Sequence, residues 1–366
     1  MKELTIDIET RSDVDLKECG LYKYAESANF DVLLVSYSID GGKVCTYDVI
    51  NGENLPDEVL KALVDKTIIK KAFNVNFERI CLSVYLRRYY PELVNFSDSV
   101  GNYLSPVSWH CDMVHSRYLG MPSSLEDVGA LLRLKANKMK EGKELIRAFC
   151  TLQLYENNLV FYEKFDAPKE WKQFKEYNKR DVEVELAIQR YLSEIPVPDF
   201  IWDEFYIDQC INDRGILVDT EYVRRAVKLD NELKTELYDN LMDITDLENP
   251  NSPAQMKEWL ADQGIETESL EKKSIQILLE DADEEVKTVL QLYQQLSKSS
   301  VKKYNTMLDT ICEDNRARGM FSFYGASRTG RFAGRHIQLQ NLPQNHLDHL
   351  AELKELVKSG DFDTIR

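Results

Sequence analysis

Residues 4–9 read Leu-Thr-Ile-Asp-Ile-Glu, and the first half of the chain is organised around this stretch. Apolar and polar side chains alternate with a period of two, which predicts a β-strand. The three apolar side chains then share one face, while Asp7 and Glu9 share the other, about 7 Å apart along the strand. Two carboxylates this close repel each other unless a cation lies between them, so the pattern indicates a divalent metal site. The alternative is an edge strand with a solvated polar face.

Composition and charge limit the classes of protein to be considered. The chain has 366 residues, 43% of them hydrophobic and 30% charged, which is typical of a soluble globular protein of about two or three domains. No apolar run approaches the ~20 residues of a membrane span, and the first strand starts too early to leave room for a signal peptide. We therefore expect no membrane partner. Seven scattered cysteines without a C-x-x-C pair indicate reduced thiols in a cytosolic setting and argue against zinc.

The net charge of −17 argues against a general polyanion binder. Any contact with nucleic acid must therefore come from local basic patches or from a small channel.

More strands and helices are predicted after the first strand. Strands are expected at 31–38 and 43–49 around a Gly41-Gly42 turn and at 67–72, with a short helix at 56–63 and another through 77–84. Glu78 lies in the first turn of that last helix, where the helix dipole favours an anion. Its carboxylate is either a helix-start charge or a further ligand. Asp112 is a further carboxylate, and it ranks below the others as a candidate metal ligand. Its alternative roles are a helix cap or a surface charge.

A long helix at 169–191 carries the second strong signal. Its apolar stripe consists of Phe174, Tyr177, Val184 and Ile188, and Asp181 interrupts it. A carboxylate that faces a core needs a partner. That partner is either a metal shared with the first strand or a hydrogen bond from Arg180 or a backbone amide.

Three motifs carry a resemblance to a known family. Asp7-Ile8-Glu9, Asn74-x-x-Phe77-Glu78 and Tyr177-x-x-x-Asp181 occur in the order and approximate spacing of the motifs of DEDDy-type 3′–5′ exonucleases. The chain resembles the phage-type family A DNA polymerases, whose second motif usually ends in Asp where this chain has Glu78. The resemblance implies an α/β fold: an RNase H-like mixed-sheet exonuclease domain at 1–193, a mainly helical thumb-like domain at 194–320, and the start of a polymerase palm segment at 321–366.

The resemblance also implies the chemistry of the site. Asp7, Glu9 and Asp181 would bind one Mg²⁺ or Mn²⁺ ion, and Asp7, aided by Glu78, would hold a second. Tyr177, together with Glu9, would orient the attacking water. An unperturbed tyrosine pKa near 10 makes Tyr177 a positioning group rather than a base at neutral pH.

The second half is predicted to be mainly helical. After the proline-containing linker at 195–198, amphipathic helices are expected at 199–214 and 219–243, and Ser252 caps another that begins at Pro253. The stretch 281–300 leads into Lys302, Lys303 and Tyr304. These side chains are suited to binding phosphate groups. A capped and solvated helix end explains the same residues equally well. The resemblance implies a thumb that holds duplex DNA.

A glycine-rich basic segment follows at 324–343. It contains Arg328, Arg331 and Arg335, and no acidic residue occurs between Phe321 and Pro343. Composition permits a flexible basic loop, but the string resembles the T-G-R…L-Q-N-[IL]-P signature that lies along primer and template in family A polymerases. The residues expected to contact DNA are Asn74, Phe77, Lys302, Lys303, Arg328, Arg331, Arg335, Gln340 and Asn341.

Residues 344–366 contain none of the D-x-S-x-x-E, H-D-E or K-x-x-x-x-x-x-Y-G patterns of the polymerase site. We therefore expect this chain not to polymerise without a missing or separately encoded palm and fingers part, whether it is an N-terminal fragment or a split product. The implied function is proofreading 3′–5′ exonuclease activity on single-stranded 3′ ends and primer–template DNA, by a phage or prophage protein in the host cytosol. The alternatives are a DEDDy exoribonuclease and a catalytically inert DNA-binding scaffold.

Overall fold

The computed structural model of the chain describes residues 1–94, 101–134, 141–297, 301–326, 329–342 and 346–365. These residues form two compact units. The first comprises Met1–Leu217 and Asp309–Leu342, and the second comprises Val218–Leu308 and Pro343–Arg366.

A five-stranded mixed sheet forms the centre of the first unit. Its strands are β1 (Glu3–Arg11), β2 (Asp31–Ile39), β3 (Cys45–Tyr47), β4 (Ile69–Ala72) and β5 (Trp109–Cys111). Their spatial order is β3-β2-β1-β4-β5, in which β2 runs antiparallel to β1 and β3, and β4 runs parallel to β1 and β5. The strands predicted at 4–9, 31–38 and 67–72 are confirmed. The strand predicted at 43–49 is shorter, because a one-turn 3₁₀ helix begins at Val49.

Nine α-helices surround the sheet in the described part of the first unit. They are α1 (Leu16–Cys19), α2 (Leu21–Glu26), α3 (Asp57–Val64), α4 (Val75–Tyr89), α5 (Asp112–Tyr118), α6 (Leu125–Leu131), α7 (Gly142–Cys150), α8 (Pro168–Leu192) and α9 (Asp199–Arg214). Three small strand pairs complete this unit. They are β6 (Gln153–Tyr155) with β7 (Asn158–Val160), β8 (Ile216–Leu217) with β9 (Arg316–Ala317), and β10 (Phe321–Ala326) with β11 (Arg331–Gly334).

The polar face of β1 is covered by α8. Thr5 Oγ1 donates to Gln189 Oε1 at 3.2 Å, and Asn178 Nδ2 donates to Asp7 Oδ2 at 2.6 Å. Leu4 and Ile6 are fully buried on the opposite face. Because β1 lies between β2 and β4 and is covered on both faces, the alternative of a solvated edge strand is wrong.

Aromatic packing fixes α8 against α7. Phe149 of α7 contacts Trp171 and Phe174 of α8, with ring centroids 4.9 and 5.4 Å apart. Pro168 occupies the first helical position, where its missing N–H costs nothing. This buried stripe confirms the helix predicted at 169–191 and sets the rotation of α8 about its axis.

The second unit is mainly helical. Its helices are α10 (Thr220–Thr245), α11 (Pro253–Asp262), α12 (Lys272–Asp281), α13 (Glu284–Leu296), α14 (Lys302–Thr310, whose last residues belong to the first unit), α15 (Leu350–Ser359) and α16 (Phe362–Ile365). Leu241, Met256, Leu260 and Val289 are among its fully buried core residues. Ser252 caps α11 as predicted, since its hydroxyl accepts from the backbone N–H of Gln255.

The observed architecture confirms the predicted fold class, a mixed-sheet α/β part followed by a mainly helical part. The contacts group the chain differently from the expected three-part division, because α9 and the β10–β11 pair belong to the first unit. The boundaries at 193 and 320 therefore remain a prediction about the family's domains. Among the described residues, no helix has the length and apolar character that crossing a bilayer requires.

Candidate metal centre

Strand β1 and helix α8 bring three carboxylates together. One oxygen from each of Asp7, Glu9 and Asp181 lies within 4.8 Å of the other two. Glu9 and Asp181 are buried, and Asp7 is partly exposed. The pairing of β1 with β2 shifts register between Glu9 and Thr10, and such bulges re-aim side chains at functional sites. The sequence-based grouping of these three residues is thus reproduced in space.

Glu78 approaches the same cluster from the first turn of α4. Its side chain is buried, and its Oε2 atom has no hydrogen-bond partner within the described part of the chain. Burial raises the pKa of Glu78 well above its usual range, and the nearby charge of Asp7 raises this pKa further. Without a cation, its surroundings therefore favour the protonated form of Glu78.

Tyr177 lies one helical turn before Asp181 and is 1% exposed. Its ring stacks on Phe174 with centroids 6.3 Å apart, and its hydroxyl hydrogen-bonds Asp181. Burial first, and then the charges of the three carboxylates, raise the pKa of Tyr177, so the hydroxyl stays protonated. A Cβ atom at Gly142 of α7 would overlap the Tyr177 ring, so only glycine allows this approach.

Arg180, which the sequence offered as a hydrogen-bond partner for Asp181, pairs with a different acid. That guanidinium pairs with Glu183 at 2.8 Å. Asp181 instead faces Tyr177 and the carboxylates of β1.

Asn178 is a site residue that the sequence pattern did not identify. It is fully buried, and the 2.6 Å bond from its Nδ2 atom fixes the Asp7 carboxylate. Asn178 follows Tyr177 directly and lies off the apolar stripe used to predict α8. Only the packing of α8 across β1 reveals its role.

A second buried carboxyl pair lies along the same helix. Gln189 Nε2 donates to Asp112 Oδ2 at 2.7 Å and to Glu185 Oε1 at 3.3 Å. Burial raises the pKa of both acids, and the Glu185 and Asp112 carboxyl groups hydrogen-bond each other. The prediction of Asp112 as a surface charge is therefore wrong, because it begins α5 inside the unit. The sequence did contain one sign of this pair: Asp181, Glu185 and Gln189 are spaced four residues apart and so share one face of α8.

The donor set fits a hard divalent cation. All of the clustered groups offer carboxylate oxygen, the ligand that Mg²⁺ and Mn²⁺ prefer. The buried Glu78 oxygen without a hydrogen-bond partner is also suited to a cation. The arrangement can therefore hold metal ions and, beside them, a protonated tyrosine hydroxyl.

The residues predicted to contact DNA occupy different surroundings. Asn74 directly precedes α4, and Phe77 is half-buried with its ring 6.4 Å from that of Tyr24. Arg331 is exposed on β11, whereas Arg335 donates to Ser322 Oγ at 3.2 Å.

The remaining predicted DNA-binding residues belong to two separate groups. Lys302 and Lys303 begin α14 in the second unit, whereas Arg331 and Arg335 belong to the first. Gln340 and Asn341 lie in the 3₁₀ turn Leu339–Asn341. Arg328 lies outside the described residues.

Comparisons with known proteins agree with this architecture. No family model matches the chain. The fold is similar to that of a DNA polymerase of known structure, the POL domain of Pol1 from M. smegmatis in complex with DNA primer-template and dNTP. That match has a TM-score of 0.50 and 14% identity, and it covers 93% of this chain and 52% of the other.

A phage protein shows the closer sequence similarity of the two. The chain is 41% identical over 369 residues to the DNA polymerase of Bacillus phage SP02. This match covers all of the chain and 55% of the relative, so the chain spans about half the length of that polymerase. The resemblance to a phage DNA polymerase that the motifs indicated is confirmed.

Proposed function

We propose that the first unit is a metal-dependent 3′–5′ exonuclease of the proofreading type, which hydrolyses the terminal nucleotide from the 3′ end of DNA. The observation that carries this proposal is the convergence of Asp7, Glu9 and Asp181, with oxygen atoms within 4.8 Å of one another. Glu78 and Tyr177 lie beside them with pKa values raised by burial.

The carboxylates have distinct roles in this proposal. Asp7, Glu9 and Asp181 would hold one Mg²⁺ or Mn²⁺ ion, and Asp7 with Glu78 would hold a second. When bound, such ions supply an activated water and neutralise charge on the attacking and leaving oxygens. Because burial raises the pKa of Glu78, its ionised form, the form that would bind metal, is favoured as pH rises.

The neighbouring side chains orient the reacting groups. The Tyr177 hydroxyl, protonated and hydrogen-bonded to Asp181, would position the attacking water together with Glu9. Asn178 holds Asp7 in one orientation through the 2.6 Å bond. Helix α7 closes over the Tyr177 ring at Gly142.

DNA is the substrate that the comparisons support. The phage relative is a DNA polymerase, and the structural neighbour was solved with primer-template DNA. We propose that Lys302, Lys303, Arg331 and Arg335 contribute phosphate contacts to a duplex, and that the protein acts in a host cytosol.

A comparison of two substrates tests the proposal. Single-stranded DNA and RNA of one sequence are incubated with the protein and Mg²⁺, and the products are resolved at nucleotide resolution. We expect stepwise shortening of DNA from its 3′ end. Faster shortening of RNA would identify an exoribonuclease instead.

Calorimetric titration with Mn²⁺ distinguishes the proposed nuclease from a catalytically inert DNA-binding scaffold. A competent centre must bind Mn²⁺ at millimolar concentration, and a scaffold that has lost its metal chemistry binds none.

A further inference from the structure

Polar side chains line the face of α8 that lies against β1. On β1, Thr5, Asp7 and Glu9 alternate with buried apolar residues and so share one face of the strand. On α8, polar residues recur at spacings of three and four, which places them on one side of the helix: Asn178, Asp181, Glu185 and Gln189. The contact between the two elements is therefore polar along its length.

The apolar side chains of α8 pack against other elements. The aromatic residues in its first half form a cluster with α7 and with Leu33 and Leu34 of β2. Val184 and Ile188 in its second half form another cluster with α6. Within the described part of the chain, neither cluster includes a side chain of β1. The position of α8 along β1 therefore depends on the polar contacts.

Hydrogen bonds join this polar stripe to β1 near both of its ends. Asn178 Nδ2 donates to Asp7 Oδ2 at 2.6 Å, and Thr5 Oγ1 donates to Gln189 Oε1 at 3.2 Å. The two helix positions are about 16 Å apart along the axis, at ~1.5 Å per residue, and Asp181 lies between them. One bond alone would let α8 pivot about Asn178, whereas two bonds fix its direction across the strand.

The amide of Gln189 is held in the orientation that the second bond requires. Its Nε2 atom donates to Asp112 Oδ2 at 2.7 Å and to Glu185 Oε1 at 3.3 Å. Because a side-chain amide has one donor end and one acceptor end, these bonds direct Oε1 toward Thr5. Thr5, Asp112 and Glu185 are all buried, where a polar group left without a partner is costly. Gln189 thus joins β1, α5 and α8 in one network.

We propose that Thr5 and Gln189 are positioning residues of the carboxylate centre. Their bond fixes the direction of α8 across β1, and with it the separation of Asp181 from Asp7 and Glu9. The inference rests on the proposed metal-dependent function. A metal centre tolerates displacements of its ligands of only about 0.5 Å, so a pivot of α8 should weaken metal binding although no ligand is removed.

The test compares Mn²⁺ affinity, measured from the EPR signal of free Mn²⁺, among variants of the two residues. Thr5→Val removes the hydroxyl and keeps the shape of the side chain. Its Mn²⁺ affinity should fall about tenfold, the lower end of the range for residues that orient ligands. Thr5→Ser keeps the donor and should bind Mn²⁺ as the wild type does.

A second variant removes the acceptor of the same bond. Gln189→Met should lose at least as much Mn²⁺ affinity as Thr5→Val. Adding Thr5→Val to Gln189→Met should cause no further loss, because both changes remove one shared interaction. Additive losses would show that the two side chains act independently and would contradict the proposal.

Thr46→Val is the matched control. The Thr46 hydroxyl shares a 2.7 Å hydrogen bond with Ser36 that joins β2 to β3 and does not involve α8. Thermal unfolding in chelator should show a loss of stability in this variant, while its Mn²⁺ affinity stays at the wild-type value. A fall in affinity equal to that of Thr5→Val would trace the effect to stability alone and would overturn the inference.

Unchanged Mn²⁺ affinity in a folded Thr5→Val protein, or an equal loss in Thr5→Ser, would also overturn it. These binding measurements need no catalysis. Failure of the exonuclease proposal would therefore appear separately, as a wild type that binds Mn²⁺ more tightly than Thr5→Val does and yet hydrolyses no DNA.

Discussion

Asp7 and Glu78 reach the candidate centre from β1 and α4, and the charge of Asp7 disfavours ionisation of Glu78. Burial is the larger cause of the raised pKa of Glu78, and the charge of Asp7 is the second. In the metal-free protein the crowding of Asp7, Glu9 and Asp181 lowers stability, since like charges in a partly buried site repel. The residues that would bind metal are therefore expected to cost stability when metal is absent.

Replacing Asp7 with alanine tests this balance. Asp7→Ala should remove nearly all nuclease activity while the melting temperature of the metal-free protein stays the same or rises. Hydrolysis of labelled DNA and thermal unfolding with a chelator measure the two effects. Activity within tenfold of wild type would contradict the assignment of Asp7.

Tyr177→Phe separates positioning from metal binding. The substitution removes the hydroxyl that hydrogen-bonds Asp181 and keeps the stacked ring. We expect a rate lower by about 10²-fold, since the attacking water loses a group that orients it, with little change in Mn²⁺ affinity. Single-turnover hydrolysis and calorimetry provide the comparison. An equal loss of Mn²⁺ affinity would show that Tyr177 acts on the ligands instead.

The motif residues could be predicted because each stands out against a strong local period. Asp7 and Glu9 share one strand face, and Asp181 interrupts an apolar stripe. Asn178 does not stand out against the period of its helix in this way. Its bond to Asp7 joins positions that are 171 residues apart, and it depends on the rotation of α8 over β1.

At the scale of elements, a buried ion pair connects α4 to α9. Arg79 donates to both carboxylate oxygens of Asp213 at 2.8 and 2.9 Å, and the Tyr22 hydroxyl donates to Asp213 at 2.6 Å. Arg79 and Asp213 are almost completely buried. Arg79 directly follows Glu78, so this pair also helps to fix the start of α4.

Removing one partner should be strongly destabilising. Asp213→Ala leaves the Arg79 charge buried without its carboxylate, which costs about 3–5 kcal/mol. Urea unfolding of the first unit, followed by tryptophan fluorescence, measures the loss. The matched control is Glu3→Ala, which breaks the partly exposed pair with Lys71 and should cost under about 1 kcal/mol. Equal losses in the two variants would be inconsistent with a structural role for the buried pair.

A histidine joins β5 to α9. His110 stacks on Trp202 with ring centroids 4.3 Å apart, and its Nε2 atom lies 2.9 Å from the Tyr206 hydroxyl. Burial lowers the pKa of His110 to about 4, and the positive charges of Lys71 and His115 contribute to this shift. The folded protein therefore holds His110 neutral.

This shift predicts a loss of stability in mild acid. Above pH 6.5 His110 is neutral in both states, and between pH 6.5 and 4 the unfolded chain binds the proton that the folded protein excludes. From this group alone, stability should fall by about 2 kcal/mol between pH 7 and 5. His110→Phe keeps an aromatic ring against Trp202, so its unfolding midpoint in urea should change less with pH. Identical pH dependence of the two proteins would contradict a neutral buried His110.

Long periodic elements were predicted closely, and short ones were not. The helix expected at 199–214 matches α9, and the 25-residue α8 was expected nearly in full. The β6–β7 hairpin was missed, because strands of three residues are too short to show a period. The burial of Asp112 was also missed, since it depends on Glu185 and Gln189 from a distant helix.

At the scale of the whole molecule, an acidic chain is proposed to bind a polyanion. The net charge is −17, so binding to DNA must be local and sensitive to salt. Arg331 is exposed on β11 and available to bind a phosphate group.

The salt dependence of duplex binding tests this expectation. Arg328→Ala/Arg331→Ala should weaken primer–template binding and reduce the slope of log K against log salt by about 0.9 for each phosphate group that the variant no longer neutralises. Hydrolysis of a short single strand should hardly change, because the candidate centre is formed by β1, α4 and α8. Titrations at several salt concentrations give both slopes. An unchanged salt dependence of duplex binding would show that the glycine-rich basic segment does not contact the duplex.

The metal dependence of 3′-end hydrolysis tests the assignment of the carboxylate centre most directly. A single-stranded DNA labelled on its 3′-terminal nucleotide is incubated with the wild type and with Asp7→Ala, in Mg²⁺ or Mn²⁺ and in excess chelator. We expect the wild type to release labelled mononucleotide only with metal, and the variant to release almost none. Release that persists in chelator, or equal release by the two proteins, would contradict a metal-dependent centre at Asp7, Glu9 and Asp181.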